Sequence, residues 1–170
     1  GCYVRMDPVI SIWRAWQRGR YAAVDWSILR SLMAGVTYVR LGAYGDPAAV
    51  PLVVWERLET ACADARIIGY THAWKDADRR YARWLMASVE TAADRLRARA
   101  LGFRTFRIRA PGSPLARGEF VCPASHEAGS RRSCEQARCC DGSRRGMRAD
   151  PVIVAHGPRS RKVLSYLASL

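Results

Sequence analysis

The stretch Val36-Thr-Tyr-Val-Arg-Leu41, followed by Gly42-Ala-Tyr-Gly-Asp46 and Pro47, decides the fold of this chain. Its first six residues are mostly β-branched or aromatic, which predicts a strand. The glycine-bearing loop then ends at Asp46, and an aspartate followed by proline is typical of a helix start. The stretch therefore predicts a strand, a short loop and a helix that runs to about position 65.

The same alternation continues on both sides of this unit. Further helices are predicted at 7–21, 26–33, 91–102 and 161–170, and strands at 36–41, 67–71, 85–89, 103–109 and 152–156. Strands that alternate with helices favour parallel pairing through right-handed crossovers. We predict an α/β fold, either a partial (β/α) barrel or an open, mostly parallel sheet, with a cysteine-rich C-terminal loop.

The length of 170 residues favours one domain with a small appendage. We expect an α/β core over 1–110, a cysteine-rich metal or cluster loop over 111–150, and a final strand and terminal helix over 151–170. Helical spacing places four apolar side chains on one face of helix 47–65, and we expect them to be buried. They are Val54, Trp55, Leu58 and Cys62.

Polar and aromatic side chains follow the predicted strands at their carboxyl ends, where parallel α/β sheets gather their function. The candidates for catalysis are Asp46, His72 and His156, and those for cofactor binding are Tyr44, Gly45, Trp74 and Ser88. Imidazole groups suit proton transfer or ligation near neutral pH. The alternative is that Asp46 caps its helix and that both histidines only cap and pack.

Four of the six cysteines lie between positions 122 and 140. Thiolates ligate structural zinc and iron–sulfur clusters, so this density predicts a metal site. We expect Cys122, Cys134 and Cys140 to converge, with Cys139 or Cys2 as the fourth ligand. The alternative of three disulfides is less favoured, because a chain of this size and apolar content needs no covalent staples.

The formal net charge is +13, and all but two of the 28 basic residues are arginines. A basic surface suits nucleic acid or a nucleotide as partner. The alternative is that the arginine excess records only the base composition of the genome. No apolar run approaches the roughly 20 residues of a membrane span, so no membrane association is predicted.

Several motifs together resemble an uncharacterised family of phage and prophage proteins, itself distantly similar to radical-SAM-like partial barrels. They are Tyr44-Gly-Asp-Pro-Ala-Ala-Val-Pro51, Gly69-Tyr-Thr-His-Ala-Trp74, Met86-Ala-Ser88, Gly102-Phe-Arg-Thr-Phe-Arg107 and Cys122-Pro-Ala-Ser-His-Glu-Ala-Gly129. The resemblance implies an iron–sulfur cluster, S-adenosylmethionine as a further cofactor, and the cytoplasm of a bacterial host. The family has a cysteine where this chain has Ala137, and further cysteines upstream of Cys2. We therefore expect a truncated start and incomplete cluster ligation.

Two functions follow as hypotheses. The first is an iron–sulfur, radical-SAM-like enzyme or a degenerate relative of one. The second is a zinc-stabilised, basic protein that associates with nucleic acid without catalysis. A metal-stabilised scaffold with no chemistry of its own is a third, plainer interpretation, so the sequence leaves open whether the protein is an enzyme.

Overall fold

A computed structural model describes residues 7–130, 132–156 and 160–169 of the chain. The α-helices are α1 (Asp7–Gln17), α2 (Trp26–Leu32), α3 (Leu52–Ala61), α4 (Ala92–Ala100), α5 (Cys134–Ala137) and α6 (Ser160–Leu167). The strands are β1 (Tyr38–Arg40), β2 (Arg66–Ile68), β3 (Tyr70–Thr71), β4 (Met86–Val89), β5 (Thr105–Arg109), β6 (Glu119–Val121) and β7 (Asp150–Val154). Among the described helices, none combines the length and the apolar character that crossing a membrane requires.

The strands form a two-stranded sheet, β1-β2, and a five-stranded sheet in the order β3-β4-β5-β7-β6. Every described strand pair is parallel. The predicted α/β class with mostly parallel strands is therefore confirmed. The choice between a partial barrel and an open sheet stays a prediction.

The predicted strand 67–71 is divided at Gly69 into β2 and β3. A Cβ atom at Gly69 would lie 2.6 Å from Cδ2 of Leu85 and 3.1 Å from Cβ of Leu41, so a side chain has no room there. The Leu41 amide donates to the carbonyl of Ile68 at 2.7 Å, whereas the Met86 amide donates to Gly69 at 2.9 Å. One short segment thus pairs with a strand of each sheet, and the glycine permits the close approach.

The predicted bounds of helix 47–65 are wrong. Residues Pro47–Ala49 form a short 3-10 turn, the chain extends at Val50, and α3 begins only at Leu52. Pro51 explains the break, because proline pushes the preceding residue out of the helical region. Asp46 caps the 3-10 turn through a 2.9 Å hydrogen bond from the Ala48 amide.

The predicted burial of the α3 face is correct only at its end. Cys62 is 3% exposed, whereas Val54, Trp55 and Leu58 are half-buried. The expected helix 7–21 ends at Gln17.

We call the more extensively covered side of the five-stranded sheet the sealed face. Its side chains include Val89, Thr105, Arg107 and Val152, all 6% exposed or less.

Helix α4 contacts β4 and β5, with Arg95 and Ala98 among its buried residues. The helix begins at the predicted N-cap, where the hydroxyl of Thr91 accepts from the Asp94 amide at 2.9 Å. It ends before Gly102, whose φ of 88° is the left-handed conformation that favours glycine. These local signals lie where the sequence predicted them.

Buried ion pairs also close the sealed face. Asp150 accepts from Arg95 at 2.9 Å and from Arg99 at 2.7 Å, and Arg107 pairs with Glu119 at 2.6 Å. The carboxylates of Asp150 and Glu119 are fully buried. Buried charges cost several kcal/mol each unless they are paired, so this network must form as a unit.

Strand β6 was not predicted, and it lies within the segment 111–150 that was expected to be a loop. It pairs with β7, so residues 122–149 form the connection from β6 to β7. We call this connection the cysteine crossover, because it begins at Cys122 and contains the other clustered cysteines. The metal or cluster loop expected from the sequence is thus a connection between two neighbouring parallel strands.

Candidate functional site: a thiol cluster on the open face of the sheet

The other side of the five-stranded sheet, which we call the open face, is only partly covered. Its side chains include Tyr70, Met86, Phe106, Ile108 and Ile153, together with the buried Ser88 and Pro151. Of the first five, Met86 is fully buried, but the other four are half-buried. Parallel sheets are normally covered on both faces. The open face is therefore a side of the sheet whose apolar side chains are still partly accessible.

Three thiols of the cysteine crossover gather on the open face. Cys140 is 5% exposed and packs in one cluster with Ile68 and Met86, and Cys139 packs against the same cluster. The sulfur atoms of Cys139 and Cys140 are 3.7 Å apart. Cys122 follows β6 directly and is held by a 2.8 Å hydrogen bond from its amide to the carbonyl of Val152.

The ionisation of each of these three thiols depends on that of the other two. Hydrogen bonds from the thiols of Cys139 and Cys140 lower the pKa of Cys122 to about 3. The same contact with Cys122 raises the pKa of Cys139 to about 11 and raises that of Cys140 well above its ordinary value. The cluster thus carries one thiolate and two thiols at neutral pH, which is the coupled behaviour expected of close titrating groups.

Two tyrosines border the thiols. Burial raises the pKa of both Tyr38 and Tyr70, so each phenol stays protonated. The buried hydroxyl of Tyr38 has no hydrogen-bond partner among the described residues. Buried polar groups without a partner are rare, and this one leaves a hydrogen-bond donor available beside the thiols.

The remaining cysteines occupy other positions. Cys134 is exposed at the start of α5, where the side chains and amides of Ser133 and Gln136 form a capping box. Its charge contributes to the raised pKa of Tyr38, so Cys134 lies within electrostatic range of the same tyrosine. Cys62 is a buried free thiol at the end of α3. The expected ligand Cys2 lies outside the described residues.

Thiols are the type of ligand that a soft metal prefers, and one of their distances matches a metal site. Two thiolates about 2.3 Å from one tetrahedral ion lie roughly 3.8 Å apart, which is close to the 3.7 Å between Cys139 and Cys140. Over residues 7–130, 132–156 and 160–169, however, no three His, Cys, Asp or Glu side chains are arranged to hold an ion. The three thiols are therefore near one another, but they do not surround a single metal position.

A clamp behind the thiols fixes the cysteine crossover to the sheet. Arg104, 1% exposed, donates to the carbonyl of Asp141 at 2.6 Å, to its carboxylate at 3.1 Å and to the carbonyl of Ala149 at 2.7 Å. Gly142 packs so closely that a Cβ there would lie 2.3 Å from the carbonyl oxygen of Ala82. Sequence reasoning missed this clamp, because its partners are 37 to 61 positions apart and follow no pattern.

At the ends of β3 and β4, Asp46, His72 and Glu90 come together. The carboxylate of Asp46 accepts from the His72 amide at 2.8 Å. The carboxylate of Glu90 lies 3.7 Å from Nε2 of His72 and raises the pKa of that imidazole. The predicted residues Asp46 and His72 are thus in contact, but through the backbone amide of His72. The imidazole of His72 instead contacts Glu90, which was not among the residues predicted from the sequence.

The other predicted residues at the strand ends divide into buried and exposed groups. Trp74 is 4% exposed and donates its indole N–H to the carbonyl of Ser88 at 3.2 Å, so its ring belongs to the core. Tyr44 is exposed, and Gly45 occupies a left-handed turn with φ of 83°. His156 is exposed after β7, where Nδ1 lies 3.1 Å from the carbonyl of Val154.

His156 and His72 do not belong to one site in the described contacts. Strands β4 and β5 separate β3 from β7 in the sheet, and no described hydrogen bond or ion pair joins the two histidines.

The chain matches no protein-family model, no curated protein and no solved structure. Its function is therefore inferred from the geometry of its own residues.

Proposed function

We propose that the protein holds an iron–sulfur cluster through Cys122, Cys139 and Cys140 on the open face, and that it is a radical-SAM-like enzyme or a degenerate relative of one. The observation that carries the proposal is the convergence of these three thiols on the partly covered side of a parallel sheet. Cys122 directly follows β6, and parallel α/β folds bind ligands at the carboxyl ends of their strands. Thiolates are the protein ligands that such clusters use.

Three converging thiols favour a cluster over a closed structural zinc site, which takes four protein ligands. A cluster with three protein thiolates has one iron whose remaining position is available to a ligand such as S-adenosylmethionine. The residues of the chain would bind and shield it. Tyr38 and Tyr70 limit access of water, and the free hydroxyl of Tyr38 can donate a hydrogen bond toward the site.

Asp46, His72 and Glu90 supply the acid–base chemistry of this proposal. The Asp46 carboxylate fixes the backbone at His72, and Glu90 favours the protonated imidazole. The side chain of His72 is 67% exposed, so a substrate can reach its Nε2 proton. His72 is thus suited to donate a proton at the edge of the sheet.

The second candidate is a zinc-stabilised protein that associates with nucleic acid. The observation that favours it is the position of Cys134, which influences the same tyrosine as Cys139 and Cys140 and could complete a four-thiolate site. Fewer arginines are available to nucleic acid than the net charge suggests, because several of them form internal ion pairs. These are Arg95, Arg104, Arg107 and Arg109.

Anaerobic reconstitution with iron and sulfide tests the first candidate. We expect visible charge-transfer absorption in the wild-type protein and its loss in Cys122→Ser, Cys139→Ser and Cys140→Ser. Cys62→Ala is the matched control, because Cys62 is a buried thiol outside the cluster, and it should keep the absorption.

The outcomes separate the two candidates. A colourless protein that binds one zinc ion, with Cys134→Ser as defective as Cys140→Ser, supports the zinc-stabilised protein and contradicts the cluster. A protein that takes up neither metal contradicts both. Loss of absorption in Cys62→Ala would show that the assay measures general folding rather than ligation.

A further inference from the structure

A second site lies on the surface formed by α3, the 3-10 turn Arg79–Arg83 and the turn Ser143–Arg145. It is an open groove of about 510 Å³. Its lining residues are Glu56, Glu59, Arg79, Arg80, Arg83, Trp84 and Ser143. We call it the arginine groove. Its volume falls in the range of roughly 300–1,000 Å³ that is usual for small-molecule sites.

Glu59 holds two guanidinium groups beside the groove. Its carboxylate accepts from Nε of Arg83 at 2.8 Å and lies 3.0 Å from Nε of Arg144. Both contacts use the Nε edge of the arginine. No described hydrogen bond or ion pair uses the terminal nitrogens of Arg83 or Arg144, or any side-chain atom of Arg79. Glu59 therefore orients two guanidinium groups and leaves their terminal donors available.

The groove is built on a rigid base. Gly142 packs directly on the backbone of residues 82–84, with a Cβ position 2.7 Å from the carbonyl carbon of Trp84. The hydroxyl of Ser143 donates to the carbonyl of Ala82 at 3.0 Å. Trp84 is 2% exposed, and its buried Nε1 has no hydrogen-bond partner among the described residues. A pre-organised base reduces the entropy cost of binding a ligand.

We propose that the arginine groove binds a small phosphate ester that carries neighbouring hydroxyl groups, such as a sugar phosphate or a mononucleotide. Guanidinium groups with free terminal nitrogens match the oxygens of a phosphate in bidentate fashion. Glu56 lies on the same wall, and no described hydrogen bond uses its carboxylate. A carboxylate beside bound phosphate repels a second anion but accepts hydrogen bonds from hydroxyls.

Calorimetric titration of the full chain with inorganic phosphate, ribose 5-phosphate, AMP and ribose tests this proposal. The titrations are run at about 0.15 M salt, where attraction between distant exposed charges is largely screened. Ribose 5-phosphate and AMP should bind more tightly than inorganic phosphate, and ribose should not bind. Arg79→Ala should weaken ribose 5-phosphate binding about tenfold, the usual value of a charge-assisted hydrogen bond.

Two further variants make the test specific. Arg97→Ala removes the same charge from an arginine on α4 whose side chain is 72% exposed, and it should leave binding unchanged. Glu56→Gln should weaken ribose 5-phosphate binding, because a hydroxyl acceptor loses its charge, without weakening inorganic phosphate binding. Equal weakening by Arg79→Ala and Arg97→Ala, or absence of phosphate binding by the wild type, would overturn the proposal. Binding of a short oligonucleotide without ribose 5-phosphate binding would overturn it as well, and would assign the groove to nucleic acid.

Discussion

The two faces of the five-stranded sheet are covered in different ways. On the sealed face, helix α4 packs on β4 and β5, and the carboxylates of Asp150 and Glu119 are fully buried in ion pairs. On the open face, the cysteine crossover covers Met86 but leaves Phe106 half-buried. The two sides of one sheet thus differ in how completely they are covered and in the side chains they carry. The charges of the sealed face form internal pairs, whereas the open face carries coupled thiols next to the hydroxyl of Tyr38, which is unpaired in the described part of the chain.

The largest effect should follow from breaking the ion network of the sealed face. Asp150→Ala removes the acid partner of Arg99 and leaves the buried Arg95 with only a 3.5 Å contact to Glu119, so we expect a loss of about 3–5 kcal/mol in the free energy of unfolding. Urea denaturation measures it. Arg80→Ala is the control, because it removes the exposed partner of Asp78, keeps the Asp78 cap, and should change stability far less. Similar losses in both variants would remove the distinction between buried and exposed pairs.

A matched pair of phenylalanines compares the packing of the two faces. Phe103 is fully buried in the main core, and its replacement by alanine should cost about 3–5 kcal/mol. Phe106, half-buried on the open face, should cost roughly half as much, because part of its surface already meets water. Thermal and urea unfolding of both variants give the comparison. Equal costs would mean that the open face is covered as well as the sealed one.

The rate at which each cysteine is alkylated measures how well its thiol is covered. Peptide mass spectrometry after iodoacetamide treatment should show Cys134 modified early, because it is exposed, and Cys62 modified last. If the proposed metal centre forms, loading it should slow modification of Cys122, Cys139 and Cys140 and leave the rate at Cys62 unchanged. Protection that extends equally to Cys62 would indicate general tightening of the fold instead of ligation.

The smallest effect concerns His72 at the edge of the sheet. Glu90 raises the pKa of this imidazole, so the folded state binds a proton more tightly than the unfolded chain. The resulting stabilisation is fully present below about pH 6.5, the ordinary value for histidine, and is lost as pH rises through the folded pKa. NMR titration should show a lower His72 pKa in Glu90→Gln than in the wild type. An unchanged pKa would remove Glu90 as its cause.

The sequence predicted the elements whose signals are local. Runs of β-branched and apolar residues marked the strands that became β1, β4, β5 and β7, and Thr91 and Gly102 marked the ends of α4. Strand β6 has only three residues and begins with a glutamate, so its pattern is too short to distinguish from a loop. The ion pair of Arg95 with Asp150 joins positions 55 apart, and no periodicity announces it.

The thiol cluster was predictable as a concentration of cysteines but not as a geometry. The expected group was Cys122, Cys134 and Cys140, whereas the described contacts bring Cys140 and Cys139 to Cys122. Arg138 provides a physical reason: it ends α5 in a left-handed conformation, with φ of 48°. The chain turns there, so that Cys134 faces solvent and the next two residues face the sheet. A non-glycine residue in this conformation carries little advance signal in a sequence.

The strand order also constrains how the chain folds during synthesis. Strand β7 is made after β6, yet it lies between β5 and β6 and pairs with both. While the nascent chain ends before Asp150, β5 has no native neighbour on one edge, and Arg95 lacks its main acid partner. Completion of the sheet therefore waits for the whole cysteine crossover to leave the ribosome. The interval exposes an unpaired strand edge, where chaperones or premature association with another chain can act.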